Sequence, residues 1–453
     1  MKILFVSDGK YPEYTNGVAI YLYHFLRELK SNGVEVSLLH VRNSRFKGHP
    51  VVRPSKSDGI RYLEIKNSPL FMGDGLENPV GCLFNPELER VFTHLLRADR
   101  PDVVHIHELH RMPASIIHIA KSHNLPVVVT FHDYWFICPL FQLFTPQETV
   151  CEGPDGGRNC VLTCLAGDPV TRLYRRYLRI FHHTIFGNIL RTTRNVYKTI
   201  RKEPLWQTTR FQNTCRNPRN LKLGNRINNL AKREFGLKQA LLEADVLHAV
   251  SNACARIYRK QLSPGRPIQI LQLGLPTQNQ LTPKVKKFDD FPLKVGFLGH
   301  LGPSKGAQLL LEAAAGFRPR DVEFHFHGKA RSEDVNLLRQ YAGKSKNIFY
   351  HGPYRTAELE HILDSIHLLV VPSLWVETLA LVGLEAQSAG VPVIASNDGG
   401  MCDYVKDGEN GILFQQGSVS ALSACLRSIL DLPAKIEQMS RRAIEPLGMK
   451  EHS

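Results

Sequence analysis

The sequence predicts an α/β protein built from two doubly wound domains, and three observations support this. Short, nearly all-apolar runs alternate with amphipathic helical stretches over most of the 453 residues. The alternation forms two successive series, and a polar stretch with three prolines, Pro276–Pro292, lies between them. Parallel strands covered by helices on both faces are apolar throughout, and each needs a crossover to reach the next.

The predicted strands of the first series are Ile3–Ser7, Val34–Val41, Ile60–Ile65, Val103–Ile106, Val127–Phe131, Val246–Val250 and Ile268–Leu273. Those of the second are Val295–Leu298, Val322–His327, Ile348–Tyr350, Leu368–Val371, Val393–Ala395 and Ile412–Phe414. Amphipathic periodicity predicts helices that include Ala19–Ser31, Pro86–Leu96, Gln308–Ala315 and Val382–Ala389. We therefore expect a first domain at residues 1–280, a second at 293–435 and a short tail at 436–453. The alternation fails at about 134–237, which we interpret as an insertion in the first domain.

The positive charge is concentrated in one segment. The chain has 57 Lys+Arg against 42 Asp+Glu, and 16 of the basic residues but only three acidic ones lie between Ala166 and Gly236. The rest is nearly neutral, so a nucleic-acid-binding protein is not expected. No apolar run is long enough to span a membrane, and the first run ends at Asp8, as a buried strand would. We expect a cytoplasmic protein with reduced cysteines.

Several nucleotide and hydrolase motifs are absent from the sequence. It has no G-x-G-x-x-G, no G-x-x-x-x-G-K-[ST] and no G-x-S-x-G, which disfavours dinucleotide enzymes, P-loop nucleotidases and α/β-hydrolases. It also has no D-x-D pair, the arrangement that often holds a divalent ion beside a sugar nucleotide.

Two windows of the second series carry candidate ligand-binding residues. In Val371–Ala386 a strand leads into a loop with Glu377, and a helix predicted to begin near Leu379 contains Glu385. Unpaired N–H groups at a helix start suit phosphate, and a carboxylate within the helix can accept hydrogen bonds from a vicinal diol. The alternative is that Glu377 caps the helix and Glu385 is merely solvated.

The second window, Gly296–Gly306, places Lys305 in a glycine-rich turn where it can meet phosphate or simply lie on the surface. A further glycine-rich turn, Asn397–Met401, follows a predicted strand.

Together these windows resemble the retaining glycosyltransferases of family 4, which have the GT-B fold. Glu377 and Glu385 match the E-x7-E pair, Gly299–Gly306 matches the upstream glycine turn, and Gly390–Gly400 matches the G-V-P-V-I-A-S-x-x-G-G run. Weaker matches in the first domain are Asn16-Gly17-Val18 and Thr130-Phe131-His132-Asp133. The resemblance implies two Rossmann-like domains facing across a cleft, the first with a Cys-rich loop and a basic helical insertion.

The resemblance also implies roles for individual residues. His132 would lie at the reaction centre, Glu377 would contact hydroxyls of the donor sugar, and Glu385 would bind the ribose. Lys305 and the amides near Leu379, Ala380 and Leu381 would hold the diphosphate. Gly17 would let the first loop approach donor and acceptor, and Tyr350, His351 and Gly352 would edge the nucleobase. His300 departs from the pattern, because family members usually carry Arg there as a second phosphate cation.

The implied function is metal-independent transfer of a sugar, with retained configuration, from a nucleotide-diphosphate donor to a glycan, lipid-linked or small-molecule acceptor. A role in surface polysaccharide or glycoconjugate biosynthesis would follow. The alternative is a catalytically weak sugar-nucleotide-binding scaffold, which His300 and the few residues after Arg442 favour. Family members usually continue into a helix that returns to the first domain, and here it is expected to be short or missing.

Three other features allow more than one interpretation. Cys138, Cys151, Cys160 and Cys164 could hold structural zinc or remain unligated thiols. His105 and His107 share a strand face, and a place near the cleft is favoured over a metal site. The basic segment from Arg172 to Arg233 could be a helical cap with a solvated face, a contact for anionic membrane on the inner surface, or an attractor of an anionic acceptor.

Overall fold

The computed structural model describes residues 1–14, 16–42, 48–165, 218–262, 266–275, 281–443 and 448–453. Its first sheet contains β1 Lys2–Ser7, β2 Glu35–Arg42, β3 Val51–Ser57, β4 Ile60–Lys66, β5 Val103–Ile106, β6 Val127–Phe131, β7 Val246–Ala249 and β8 Gln269–Ile270. Its second sheet contains β9 Leu293–Leu298, β10 Val322–His327, β11 Ile348–Gly352, β12 Leu368–Val371, β13 Val393–Ser396 and β14 Gly411–Phe414.

Helices cover both sheets. Those of the first part are Gly17–Ser31, Asp74–Glu77, Pro86–Asp99, Ser115–Ser122, Pro218–Glu243 and Asn252–Gln261. Those of the second are Ala307–Ala314, Ser332–Lys344, Leu359–Asp364, Leu381–Ser388, Val419–Asp431 and Ala434–Ser440, and a last short helix is Met449–His452. The predicted doubly wound α/β architecture is confirmed in both halves.

The strand orders fix where ligands can bind. The first sheet runs β3-β4-β2-β1-β5-β6-β7-β8 and the second β11-β10-β9-β12-β13-β14. In each sheet the progression of the chain across the sheet reverses at one point: between β1 and β5 in the first sheet, and between β9 and β12 in the second. In open α/β sheets the crevice beyond the carboxyl ends of the strands at such a reversal is the usual ligand site.

Two differences from the predicted strands have local causes. The sequence analysis missed β3, an edge strand that pairs antiparallel with β4 and is mostly exposed, so it lacks the apolar run used to find the others. Asp58-Gly59, both with positive φ, form the hairpin turn. The strand predicted at Ile268–Leu273 is reduced to Gln269–Ile270, an edge strand paired with β7 alone.

The predicted insertion ends differently from expectation. Its boundary at 237 falls inside the helix Pro218–Glu243, which packs on Ser115–Ser122 and leads into β7. Leu237 and Leu241 are buried, so these turns belong to the crossover between β6 and β7. Residues 166–217, which hold most of the basic segment, lie outside the described residues.

One late cation of the basic segment is buried. Arg233 is 1% exposed, its guanidinium donates to the Trp135 carbonyl oxygen over 2.6 Å, and it lies 5.0 Å from the Trp135 ring centre. Arg233 therefore holds the loop after β6 in place and is withdrawn from any charged surface that the segment presents.

The last helix returns to the first domain. The predicted boundary between the second domain and the tail, at residue 436, falls inside the helix Ala434–Ser440. Ile436 and Met439 of this helix lie in the hydrophobic core of the second domain. The short helix Met449–His452 then packs on Gly17–Ser31, and His452 Nε2 lies 2.7 Å from the Tyr21 hydroxyl. The returning helix is thus present and short. No helix among the described residues combines the length and the apolar character needed to cross a bilayer.

Candidate active site

The two domains meet directly at the expected crevice. The Thr378 hydroxyl donates to the His132 carbonyl oxygen over 2.8 Å, and a Cβ on Gly17 would lie 3.7 Å from Leu381 Cδ1. Thus Gly17 and His132 of the first domain face the loop and helix start that follow β12. The structure brings together residues 17, 132 and 377–381, which lie far apart in the sequence.

Glu377 is a buried carboxylate held by a cation. Its Oε1 accepts a 2.6 Å bond from Lys305 Nζ and a 2.7 Å bond from the Ser373 hydroxyl, and the residue is 3% exposed. The helix behind it begins at Leu381 after Ala380, with no side-chain cap, so the capping alternative for Glu377 does not hold. Both bonds lie on Oε1, which leaves Oε2 the better placed of the two oxygens to accept from a ligand hydroxyl.

Lys305 reaches Glu377 because a tight turn aims it there. Gly306, the residue after Lys305, has φ 72°, and the Leu374 N–H donates to the Ser304 carbonyl oxygen over 2.9 Å. This bond ties the turn to the loop that carries Glu377. Lys305 Nζ also lies 5.3 Å above the Trp375 ring, and its side chain is 34% exposed. The cation is therefore fixed on its loop and still open to the crevice, as a phosphate-binding lysine must be.

The glycine-rich turn Asn397–Met401 supports the Glu377 loop. The Gly400 N–H donates to Glu377 O over 2.8 Å, and a Cβ on Gly399 would come within 2.9 Å of the Glu377 nitrogen. These glycines therefore serve close packing of two backbones. Ala380 has the left-handed φ of 59°, and its carbonyl oxygen accepts from the Tyr404 hydroxyl over 3.0 Å. The strained residue sits at the start of the helix proposed to face phosphate, a common location for such strain.

Glu385 lies within the helix Leu381–Ser388, and the predicted base-edge residues lie on β11, the edge strand of the second sheet. Glu385 is half-buried and close enough to Tyr354 to raise the pKa of that phenol further, after burial. The Tyr350 hydroxyl donates to Gly328 O over 3.0 Å. His351 Nε2 lies 3.0 Å from His325 Nδ1, and Gly352 O accepts from the Gly328 N–H over 2.7 Å.

His132 is a neutral imidazole in a row of histidines. Its Nε2 lies 2.7 Å from His107 Nδ1, and His105 Nε2 lies 2.8 Å from the Thr130 hydroxyl. Burial, followed by His248, lowers the pKa of His132 to about 3. At neutral pH the ring is uncharged, so it can orient a polar ligand without repelling a cation. His107 thus lies directly beside His132, and neither His105 nor His107 belongs to a metal-ligand group among the described residues.

His300 is also neutral at physiological pH. Partial desolvation lowers its pKa below the ordinary 6.5, with Asp334 acting against this. Three neighbouring cations add to the lowering, namely Lys305, Lys329 and Arg331. His300 therefore supplies no positive charge at neutral pH, and the nearby Arg331 is held by Glu333 and Asp334.

A buried ionic network, which the sequence analysis did not find, adjoins His132. His110 bridges two carboxylates, with Nδ1 at 2.6 Å from Asp8 and Nε2 at 2.7 Å from Asp133. Burial opposes the charge of His110, but both carboxylates together raise its pKa well above 6.5. Asp8, Glu108 and His110 are the one group of described residues whose ligand atoms lie close enough to hold a metal ion. The imidazolium already occupies the place between the carboxylates, so the donor set is that of an ion-pair network.

Glu108 makes stability depend on pH in this network. Burial, with a contribution from Asp8, raises the pKa of Glu108 from 4.5 to about 7. The folded protein then binds more protons than the unfolded chain between these values, so stability falls as pH rises from about 4.5 to 7, by up to about 3 kcal/mol. We expect Glu108→Gln to flatten this decline in melting temperature against pH. An unchanged slope in the variant would contradict the assignment.

The four cysteines named in the sequence analysis lie near one another. No three of their sulfur atoms lie within 4.8 Å of each other, whereas a tetrahedral zinc site requires roughly 3.8 Å. Burial raises the pKa of Cys138 to about 11 and shifts the pKa of Cys160 in the same direction. At neutral pH these two thiols are therefore protonated. Structural zinc at the four cysteines stays a prediction, and zinc analysis of the purified protein tests it.

Comparison with known sequences gives two family matches. Residues 15–186 match the model described as Glycosyltransferase Family 4, and residues 278–445 match Glycosyl transferases group 1. Curated relatives include D-inositol 3-phosphate glycosyltransferases of Corynebacterium glutamicum, 29% identical over 41% of this chain and 46% of the relative, and of an Arthrobacter species, 32% identical over 32% and 36%. The chain thus spans about half the length or less of these relatives.

Solved structures share the fold over nearly the whole chain. Sucrose-phosphate synthase from Thermosynechococcus elongatus has a TM-score of 0.62 at 15% identity, covering 98% of this chain and 92% of that one. WaaG, a glycosyltransferase involved in lipopolysaccharide biosynthesis, has a TM-score of 0.56 at 14% identity, covering 97% and 94%. The two facing sheets are thus the GT-B fold. With both family models matched in chain order, this protein belongs to the family 4 glycosyltransferases.

Proposed function

We propose that this protein moves a sugar from a nucleotide-diphosphate donor to an acceptor bound at the first domain, retaining anomeric configuration and requiring no metal. The observation that carries the proposal is the Lys305–Glu377 pair, which lies beside the helix start at Leu381 and faces His132 across the crevice. A cation, free amides and a sugar-binding carboxylate thus meet at one point.

The chemistry follows from these groups. As the bond between sugar and diphosphate breaks, negative charge grows on the leaving oxygens. Lys305 and the helix-start amides stabilise that charge more in the transition state than in the ground state. Glu377 holds Lys305 through Oε1 and can accept from a sugar hydroxyl. Attack by the acceptor on the face that the diphosphate leaves would retain configuration, and we assign no covalent intermediate.

Several observations bear on donor and acceptor. Curated relatives are named for inositol 3-phosphate, and one solved relative was crystallised with UDP and glucose. They support a nucleotide-sugar donor here, and an acceptor among glycans, lipid-linked molecules and small phosphorylated molecules. A role in the biosynthesis of surface polysaccharide or glycoconjugate is consistent with this proposal. The enzyme would then bind peripherally to the inner face of a membrane.

The experiment that tests the proposal is a donor panel. We would incubate the purified protein with UDP-, GDP- and ADP-linked sugars and measure release of the nucleoside diphosphate, first with water as the only acceptor. Release from one donor, reduced in His132→Ala, is expected. Binding of a donor in a thermal-shift assay with no release from any of them would support the scaffold alternative instead.

His300→Arg offers a separate test of the leaving-group site. An arginine there would add a permanent charge near Lys305, so we expect donor turnover to rise by about three- to tenfold, in line with one added charge-assisted hydrogen bond. His300→Gln, which keeps polarity without charge, should leave the rate near that of the original protein. An arginine variant slower than the glutamine variant would show that His300 does not lie at the diphosphate.

A further inference from the structure

Basic side chains cluster at the carboxyl edge of the first sheet, on the side of β1 opposite to His132. Lys10 follows β1, Arg42 ends β2 and Lys66 ends β4. β1, β2 and β4 are parallel neighbours, and Arg42 and Lys66 are register partners. Three cations therefore meet at the same edge of the sheet that carries the candidate active site.

Within the described part of the chain, the three cations share two carboxylates. Among the residues that the structure describes, Glu13 and Glu64 are the carboxylates that pair with them: Lys10 with Glu13 at 3.6 Å, and Arg42 with Glu13 and Glu64 at 3.6 and 3.4 Å. Lys66 approaches the same Glu64 at 3.5 Å. Charge-assisted hydrogen bonds are usually about 2.7–2.9 Å long, so these loose pairs leave donors available to a stronger anion.

Beneath the cations lies a buried imidazole with an unused nitrogen. His40 is 1% exposed, and its Nε2 has no hydrogen-bond partner among the described residues. An unpaired buried polar atom costs about 1–3 kcal/mol, which a ligand could recover. Burial, followed by Lys10, lowers the pKa of His40 to about 4, so the ring is neutral and can donate one N–H.

An aromatic ring and a buried guanidinium lie next to these groups. Lys10 Nζ lies 4.7 Å above the Tyr62 ring. Arg111, 2% exposed, donates to the Tyr14 hydroxyl over 2.9 Å and to the Asp8 carbonyl oxygen, and its Nε is unpaired among the described residues. Asp8, with its partner His110, is the acidic group that faces Arg111. Two unpaired buried donors thus accompany an excess of positive charge.

We propose that Lys10, Arg42 and His40 form a subsite for a phosphate monoester carried by the acceptor. This subsite rests on the proposed function, because it is the proposed sugar transfer that requires an acceptor. Lys10 lies in the loop that joins β1 to the helix beginning at Gly17, and Gly17 faces Leu381. A phosphate held at one end of this loop would place the rest of the molecule toward the donor site at the other end.

Binding of glycerol 3-phosphate, measured by isothermal titration calorimetry, tests the subsite without turnover. We expect binding to the original protein, none of neutral glycerol, and affinity at least about fivefold weaker in Lys10→Gln and in Arg42→Gln, the loss of roughly 1 kcal/mol. Lys121→Gln and Arg318→Gln, which remove ion-paired cations elsewhere, are the matched controls. Lys305→Gln tests whether glycerol 3-phosphate binds at the donor site instead. If it binds at Lys10 and Arg42, this variant should keep the affinity of the original protein for glycerol 3-phosphate.

A phosphate on lipid is distinguished with vesicles. Phosphatidylcholine vesicles containing phosphatidate, compared with pure phosphatidylcholine, should capture the protein in a manner that depends on Lys10 and Arg42 if the carrier is a lipid; glycerol 3-phosphate binding alone indicates a soluble carrier. Equal affinity of the original protein and both variants for glycerol 3-phosphate and for vesicles would overturn the subsite. Absence of donor turnover with intact phosphate binding would instead overturn the proposed function.

Discussion

Glu377→Gln is expected to lower kcat/KM for donor turnover by about 10² to 10³, the usual effect of removing one preorganised polar group at a developing charge. Glutamine keeps the shape and the Ser373 hydrogen bond, but it loses the charge that holds Lys305 Nζ at 2.6 Å. Lys305 would then be free to move away from the leaving diphosphate. Initial rates of nucleoside diphosphate release measure the effect.

A matched control separates this effect from general damage. Glu312→Gln changes an exposed carboxylate on the helix after Lys305, which accepts a hydrogen bond from the Gln308 side chain, and should leave the rate unchanged. The melting temperature of Glu377→Gln should stay close to that of the original protein, because the volume is kept. A glutamine variant that retains more than about a third of the original rate would show that the Lys305–Glu377 pair does not serve catalysis.

The two residues should also act as a unit. Since Lys305 is positioned by Glu377, removing both should cost little more than removing either, so the double variant with Lys305→Met should be far from additive. Additive losses would place the two side chains in separate roles.

Much of the fold could be predicted from the sequence, because most of its strands are short apolar runs that alternate with amphipathic helices. β1, β9 and β12 are short apolar runs covered on both faces, and their bounds were predicted to within two residues. β3 escaped because an exposed edge strand needs no apolar run, and Pro54 in it disfavours a strand. The crossover helix Pro218–Glu243 was assigned to the insertion because its composition continues the basic segment.

Within the candidate site, the residues that could be predicted are those on motifs contiguous in the sequence. Lys305 lies in a glycine-rich turn, and Glu377 lies eight residues before Glu385 in a strand–loop–helix pattern. His110 and Asp8 could not be found in this way, since residues about a hundred positions apart pair only after β1 and β5 become neighbours.

Gly306→Ala is expected to destabilise the second domain by about 2–4 kcal/mol, a decrease of roughly 5 °C or more in melting temperature. Gly306 has φ 72°, and a Cβ there would overlap the Pro372 carbonyl oxygen, a backbone atom that no side-chain rotation can move. Relief of the overlap would separate the turn from the loop after β12, and with it Lys305 from Glu377. Turnover should therefore fall together with stability.

Gly343→Ala supplies the opposite control. Gly343 lies in the helix Ser332–Lys344, has no positive φ, and a Cβ there would meet nothing within 4 Å. Alanine at such a site should raise stability by about 0.4–1 kcal/mol, because it restricts the unfolded chain. If Gly306→Ala melted within about 1 °C of the original protein, the turn would have room to adjust. Lys305 would then owe its position to Glu377 and Trp375 rather than to the backbone.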